Sequence, residues 1–142
     1  MKTQPSTIFW IIAVLAILWN LIGVGAFLAD TFMRDAMLSE ATQEQIDAVY
    51  NTPMFISAIY GVATFFGLIG AILLIMRKAR AISFFAVSLE AVIIQSLYTI
   101  LFMDGIAVFG MFQGLIFPLI IIGLDTLFLL YSMRQNKKGV LQ

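Results

Sequence analysis

The sequence contains no cysteine and no histidine, and charged residues make up only 11% of its 142 residues. Without cysteine there can be no disulfide and no thiolate ligand, and zinc, copper and haem sites lose their usual protein ligands. The common nucleophile–base pairs also require one of these two residue types. We therefore predict a protein that is not an enzyme and that binds no metal and no cofactor.

The sequence is instead rich in hydrophobic residues. They make up 62% of the chain, and the mean hydropathy is +1.04. A membrane-spanning helix needs about 20 mainly apolar residues, and four blocks of the sequence are at least that long. We predict a single all-α membrane domain over residues 1–142, an antiparallel bundle of four transmembrane helices near 7–29, 52–77, 80–102 and 106–133.

The basic residues lie almost entirely on one side of this bundle. Only Arg34 falls between the first and second helices. Loops rich in lysine and arginine remain in the cytoplasm, which places both termini there and makes 30–51 external. The seven residues on the cytoplasmic side are Lys2, Arg77, Lys78, Arg80, Arg134, Lys137 and Lys138.

The external segment 30–51 is acidic, with five carboxylates against Arg34 and a net charge of −4. Thr42 and Gln45 have the spacing of a capping box, which predicts a short amphipathic helix on the membrane surface. Such a segment can concentrate cations at the membrane surface. Alternatively, it is a solvated loop that is acidic only because most basic residues are on the cytoplasmic side.

Two carboxylates interrupt the third and fourth apolar blocks. Glu90 and Asp125 have no basic partner in their own helices, although an acid at bilayer depth costs about 2.5–3.5 kcal/mol. With a rise of about 1.5 Å per residue, they lie roughly 14 Å and 12 Å from the cytoplasmic ends of neighbouring helices. We predict one shared site that binds a proton or a cation. The alternative is that each acid is protonated and only joins helices by a hydrogen bond.

Other polar residues fall inside the predicted helices and can complete a pocket around these acids. The fourth helix also contains Pro118, which cannot donate to the carbonyl of Gly114 and predicts a kink there. The candidate pocket residues are Asn20, Tyr60, Gln95, Tyr98 and Gln113.

The third helix carries polar residues on two sides. At 100° per residue, Gln95 lies about 140° around the helix from Glu90. A helix at the corner of a four-helix bundle exposes one side to lipid, so both polar sides cannot face the same interior. We therefore predict a homo-oligomer in which the third helix meets a second subunit.

Several short tracts are similar to a group of small bacterial four-helix inner-membrane proteins. Members of this group often carry the label "sugar transporter", and their function is not established. The resemblance implies a multi-pass protein of the bacterial inner membrane. The tracts are Phe9-Trp10, Trp19 to Gly23, Tyr50 to Pro53, Gly67 to Gly70 with Met76 to Lys78, and Val92 to Gln95.

These observations favour a small membrane transporter coupled to protons or cations through Glu90 and Asp125. The competing interpretation is an accessory or structural membrane subunit that transports nothing. In both cases the expected partners are the lipid bilayer and a second copy of the chain, not nucleic acid. Nothing in the sequence identifies a substrate.

Overall fold

The computed structural model describes residues 3–142, so Lys2 lies outside the described residues. The described chain folds into helices joined by short connections. Their order is α1 (Thr7–Phe32), α2 (Arg34–Met37), α3 (Gln43–Tyr50), α4 (Met54–Ile75), α5 (Ala81–Phe102), α6 (Gly105–Met111), a π-helical turn (Phe112–Ile116) and α7 (Phe117–Lys137).

Four stretches of the described chain are long and apolar enough to cross a membrane. They are α1, α4, α5 and the segment Gly105–Lys137, which confirms the four predicted spans. The side chain of Ser6 begins α1 by accepting a hydrogen bond from the Phe9 N–H at 3.3 Å. Pro53 precedes the first residue of α4, as expected for a residue that cannot donate a backbone hydrogen bond.

Helix α4 is central to the packing, because it contacts both α1 and α5, and α5 in turn contacts α7. Small residues allow these close approaches. A Cβ added to Gly70 would lie 3.0 Å from the Phe85 ring, so α4 and α5 pack with almost no space between them at that point. Helices α1 and α7 border a cleft of about 600 Å³ whose lining includes Trp19 and Leu124.

Both ends of the described chain meet at the same end of the bundle, together with the turn between α4 and α5. We call this the basic end. Thr3 N–H donates to the Gly139 carbonyl at 3.1 Å, and Gln142 N–H donates to the Arg77 carbonyl at 2.7 Å. Arg77 has a positive φ of 60° and also donates through Nε to the Val140 carbonyl at 3.0 Å. The tail therefore covers the turn.

Beneath this tail lies the main apolar core of the bundle. Phe9, Leu74 and Phe85 are each at most 1% exposed. The rings of Phe85 and Phe128 stack with their centroids 6.0 Å apart. These rings therefore fill the interior at the basic end, beside the cleft between α1 and α7.

The opposite end, which we call the acidic end, carries the segment between α1 and α4. The predicted capping box is confirmed: Thr42 Oγ1 accepts from Gln45 N–H, and Gln45 Oε1 accepts from Thr42 N–H. Tyr50 donates a short hydrogen bond to Asp35, and this bond raises the pKa of the Tyr50 phenol above its usual value. The segment is therefore folded rather than an irregular loop.

The fourth span is broken in its first part, before Pro118. The break is at Gly110, with φ 84° and ψ 167°, a conformation that strongly favours glycine. A π-helical turn follows, in which the Phe117 N–H donates to the Phe112 carbonyl. Pro118 is near the start of α7, directly after this π-helical turn, and has no N–H to donate to the preceding turn. The break at Gly110 lies eight residues earlier, and the kink predicted at Pro118 itself stays a prediction.

Because of this break, α6 folds back onto the π-helical turn. In a straight helix residues nine positions apart are separated by about 13.5 Å. Here a Cβ on Gly114 would lie 2.3 Å from the Gly105 carbonyl oxygen. Gln45 Nε2 of α3 donates to the Val108 carbonyl at 3.0 Å, so α3 and α6 together form the acidic end.

Candidate functional site

A cavity of about 440 Å³ is lined by residues of all four spans, and we call it the central cavity. Its most unusual residue is Asp125 of α7, which is only 6% exposed. No basic side chain of the described residues 3–142 lines this cavity. The lining residues are Trp19, Asn20, Ile22, Gly23, Ala26, Tyr60, Ala63, Thr64, Val92, Gln95, Ser96, Thr99, Gln113, Phe117, Pro118, Ile121 and Asp125.

Asp125 has Ser88 of α5 as its neighbour. The Ser88 hydroxyl lies 2.7 Å from the Ala63 carbonyl oxygen and 3.5 Å from Asp125 Oδ2. A hydroxyl has a single proton to donate, and the short contact to Ala63 is with a group that can only accept. When Ser88 donates there, its oxygen remains an acceptor toward Asp125. This arrangement suits a protonated Asp125, which then donates to Ser88.

Ionised Asp125 would require a different pattern. Ser88 would then turn its proton from Ala63 toward the carboxylate, across the longer contact of 3.5 Å. A buried carboxylate with one weak donor is poorly compensated, and a bound proton or cation removes that cost. The local geometry thus provides a site at which such binding is favourable.

Several polar side chains of the cavity direct their own protons back into the helices. Asn20 Nδ2 donates to the Ala16 carbonyl at 2.8 Å. The hydroxyl of Thr99 donates to the Gln95 carbonyl at 3.1 Å, and that of Thr64 lies 3.1 Å from the Gly61 carbonyl. The two threonine hydroxyls therefore remain only as acceptors, whereas Asn20 keeps a second amide N–H.

A second, smaller cavity of about 210 Å³ lies toward the acidic end, and we call it the vestibule. Tyr60, Gln95 and Thr99 line both the vestibule and the central cavity. Asp30 and Arg34 also line the vestibule, and they form an ion pair with Nη2 and Oδ2 3.1 Å apart. Three side chains thus separate the central cavity from a chamber near the acidic surface.

The structure brings together most of the residues that the sequence suggested. Asn20, Tyr60, Gln95 and Gln113 line the central cavity with Asp125. Pro118 also lines it. Four of the five candidate pocket residues therefore lie around one cavity with Asp125.

Glu90 and Tyr98 are not part of it. Glu90 is exposed on the outer side of α5, between exposed apolar residues such as Val87 and Ile94. It does not line the central cavity, so it does not form a shared site with Asp125. The Tyr98 ring packs instead against Phe55 and Phe102, at centroid distances of 6.3 and 5.4 Å.

Ser88 and Gly67 contribute to the site, although the sequence did not single them out for it. Ser88 lies on the same helical face as Gln95 and Thr99, seven and eleven positions away, which is the signal that would have found it. Gly67 makes room: a Cβ there would lie 2.1 Å from Asn20 Oδ1 and 3.0 Å from Ser88 Oγ. A small residue is needed where these two polar groups meet.

Replacing Gly67 by alanine is expected to displace the Asn20 side chain and break its bond to Ala16. We expect a loss of about 1–3 kcal/mol in the free energy of unfolding, as for other overpacked interiors. Gly25→Ala is the matched control, because nothing lies within 4 Å of a Cβ at that position of α1. The measurement is unfolding of both variants in detergent. Equal stability of the two variants would contradict this view of the site.

Comparison with known proteins adds no further assignment. No protein-family model matches the chain, and neither do the curated proteins or the solved structures searched. The described residues also hold no group of three or more carboxylates placed to bind a metal ion.

Proposed function

We propose that this integral membrane protein is a transporter of a small solute, coupled to proton or cation binding at Asp125. The observation that carries the proposal is a buried, unpaired carboxylate in a cavity lined by all four spans. Intramembrane acids that face a bundle interior commonly mark proton relays and ion pathways. A purely structural acid would not need a chamber of this size beside it.

The two ends of the bundle support an alternating-access mechanism. The central cavity adjoins the vestibule at the acidic end, whereas at the basic end Phe9 and Phe85 are buried in the apolar core and the cleft between α1 and α7 is lined mainly by apolar side chains. With the basic residues placed in the cytoplasm, this is a conformation that faces outward. Under the proposal, a proton and the solute reach Asp125 in turn, each through the vestibule, and a rearrangement around the apolar core then opens the other side.

The break at Gly110 is suited to such a rearrangement. Non-helical backbone at membrane depth is tolerated where it lines a cavity or is buried in protein. The π-helical turn Phe112–Ile116 links α6 to α7, and Gln113 within it lines the central cavity. A change in this turn would move a wall of the site without unfolding a continuous helix.

The test uses protein reconstituted into liposomes that contain the pH dye pyranine. We expect at least one member of a panel of sugars, amines and small alcohols to drive proton movement above the rate of protein-free liposomes. The probes are glucose, phenethylammonium and 2-phenylethanol, each with and without an imposed pH gradient. A full panel without protein-dependent proton movement or solute uptake would contradict the proposal.

The second candidate is an accessory subunit, and exposed Glu90 is the observation that favours it. A carboxylate among apolar residues on the outer side of α5 is costly in lipid, and contact with another protein would remove it from lipid. The same observation supports our proposal of a homo-oligomer through α5. An oligomer is compatible with transport, so only the flux measurement separates the two functions.

For the cellular setting we propose the bacterial inner membrane with both termini in the cytoplasm. The distribution of basic residues supports this orientation, since Arg34 alone among the arginines and lysines of residues 3–142 lies at the acidic end. The resemblance to small bacterial four-helix proteins is consistent with it. A reporter fused after Gln142 would be active only in the cytoplasm under this proposal.

A further inference from the structure

We propose that the ligand of the central cavity is a compact amphipathic amine, with its ammonium group at Asp125 and its apolar body against the cavity wall. This inference rests on the proposed function and names the class of solute for the same site. Three features of the cavity lead to it: the charge of its single acid, the direction of its hydrogen bonds and the nature of its walls.

The charge comes from Asp125 alone. It is 6% exposed, lines the cavity and has no basic side chain beside it among residues 3–142. The contact to Ser88 at 3.5 Å is its one hydrogen bond to the described chain, and it is long. An ammonium group supplies the missing positive charge together with up to three donors.

The hydrogen-bond directions favour a ligand that donates. The hydroxyl protons of Thr64 and Thr99 are used by backbone carbonyls, so these two hydroxyls can act toward a ligand only as acceptors. Gln95 and Gln113 can present either amide atom. An ammonium only donates, whereas a sugar both donates and accepts and would leave several of its oxygens without partners.

The walls favour an apolar body. Trp19, Ile22, Val92, Phe117 and Ile121 line the cavity together with the polar groups. Burial of apolar surface stabilises a ligand by roughly 25 cal/mol per Å², and an aromatic wall also attracts a nearby cation. A hydrophilic polyol would use neither contribution.

The surface charge at the acidic end fits the same class of ligand. The external segment 30–51 has a net charge of −4, and the vestibule that leads toward the cavity begins beside Asp30. A negative potential at the mouth of a cleft raises the local concentration of cations and their rate of association. An amine is thus concentrated where access to the site begins.

Binding is coupled to one proton. Asp125 releases its carboxyl proton to solvent through the vestibule, and the resulting carboxylate forms an ion pair with the incoming ammonium. Charge is conserved, because one positive charge enters as one positive charge departs. No covalent bond other than the carboxyl O–H is broken, and no further reactant is required.

The test uses Trp19 as a reporter, because it lines the cavity and is one of only two tryptophans. In a Trp10→Phe background in lipid nanodiscs, phenethylammonium is titrated and Trp19 fluorescence is recorded. The matched ligand 2-phenylethanol has the same body with a hydroxyl in place of the amine, and glucose represents the polyols. We expect saturable binding of the amine, at least about tenfold tighter than of the alcohol, as for hydrogen bonds to a charged group.

Two variants locate the binding. Asp125→Asn should weaken amine binding by about tenfold or more, whereas Glu90→Gln, which changes an acid outside the cavity, should leave it unchanged. In weakly buffered solution the wild type should release up to one proton per bound amine, and Asp125→Asn should release none. The comparison of amine with alcohol needs no variant, so a folding defect in Asp125→Asn would not prevent the test.

Equal affinity for amine and alcohol, saturable binding of glucose alone, or full amine affinity in folded Asp125→Asn would each overturn the inference. Its failure is distinct from failure of transport. An amine that binds but is never moved across proteoliposomes contradicts transport and leaves the ligand class standing. Coupled uptake of a neutral solute without amine binding contradicts the ligand class alone.

Discussion

Asp125→Asn is expected to reduce proton-coupled flux to the level of protein-free liposomes, a loss of more than about tenfold. Asparagine keeps the shape of the side chain and can still hydrogen-bond to Ser88, but it cannot release or bind a proton at neutral pH. Every other acid of the described chain lies outside the cavity lining. No neighbouring group can therefore take over the role of Asp125.

The control for this prediction is Glu90→Gln, the same chemical change at an acid on the outer side of α5. Coupled flux should persist in this variant. Its expected effect is on association, measured as the mass of the protein–detergent complex by light scattering, because Glu90 is the polar group of the proposed subunit interface. If Glu90→Gln abolishes coupling and Asp125→Asn does not, the site has been assigned to the wrong carboxylate.

The amino-acid sequence predicts the four spans well, for physical reasons. A helix that crosses lipid must satisfy its backbone internally and cover itself with apolar side chains, and both demands are visible in the order of residues. The predicted first helix, 7–29, corresponds to α1 at Thr7–Phe32, and the third, 80–102, to α5 at Ala81–Phe102. The capping box at Thr42 was equally predictable, because its two hydrogen bonds are local.

Helix-to-helix relations are less predictable. Depth along a helix follows from the rise per residue, and Asp125 indeed lies close in level to Glu90, because it faces Ser88 two positions earlier. Two residues along a helix, however, correspond to a rotation of about 200°, which turns Glu90 away from α7. A similar depth in the membrane therefore does not show that two carboxylates face each other. The choice of the inward face depends on the small residues of α4, such as Gly67.

The backbone break in the fourth span was also not predictable from the local sequence. Proline is the usual cause of a kink, which makes Pro118 the natural expectation. Gly110 has no such signature, because glycine occurs throughout transmembrane helices without breaking them. Gly110 has a φ of 84°, and the α6 that precedes it packs beside α3, where Gln45 donates to the Val108 carbonyl. Tertiary contacts of this kind are not apparent in a local pattern.

Gly114→Ala is expected to be the most destabilising single-methyl change in the bundle. The added Cβ would lie 2.3 Å from the Gly105 carbonyl oxygen and 2.8 Å from the Ile106 Cα. Both are backbone atoms, so no side chain can move aside and α6 itself must shift. We expect the free energy of unfolding to fall by about 3 kcal/mol, at the upper end of the range for overpacked cores.

Gly123→Ala separates this clash from the general effect of adding a methyl group to a helix. Nothing lies within 4 Å of a Cβ at Gly123, which belongs to α7, so alanine should be neutral or stabilise by up to about 1 kcal/mol through its higher helix propensity. Unfolding of both variants in detergent gives the comparison. A displaced α6 also shifts the turn that contains Gln113, so Gly114→Ala should weaken binding in the central cavity as well as stability. Equal stability of Gly114→Ala and Gly123→Ala would contradict this prediction. It would mean that α6 does not fold back against the π-helical turn and that a straight fourth helix forms this wall of the cavity.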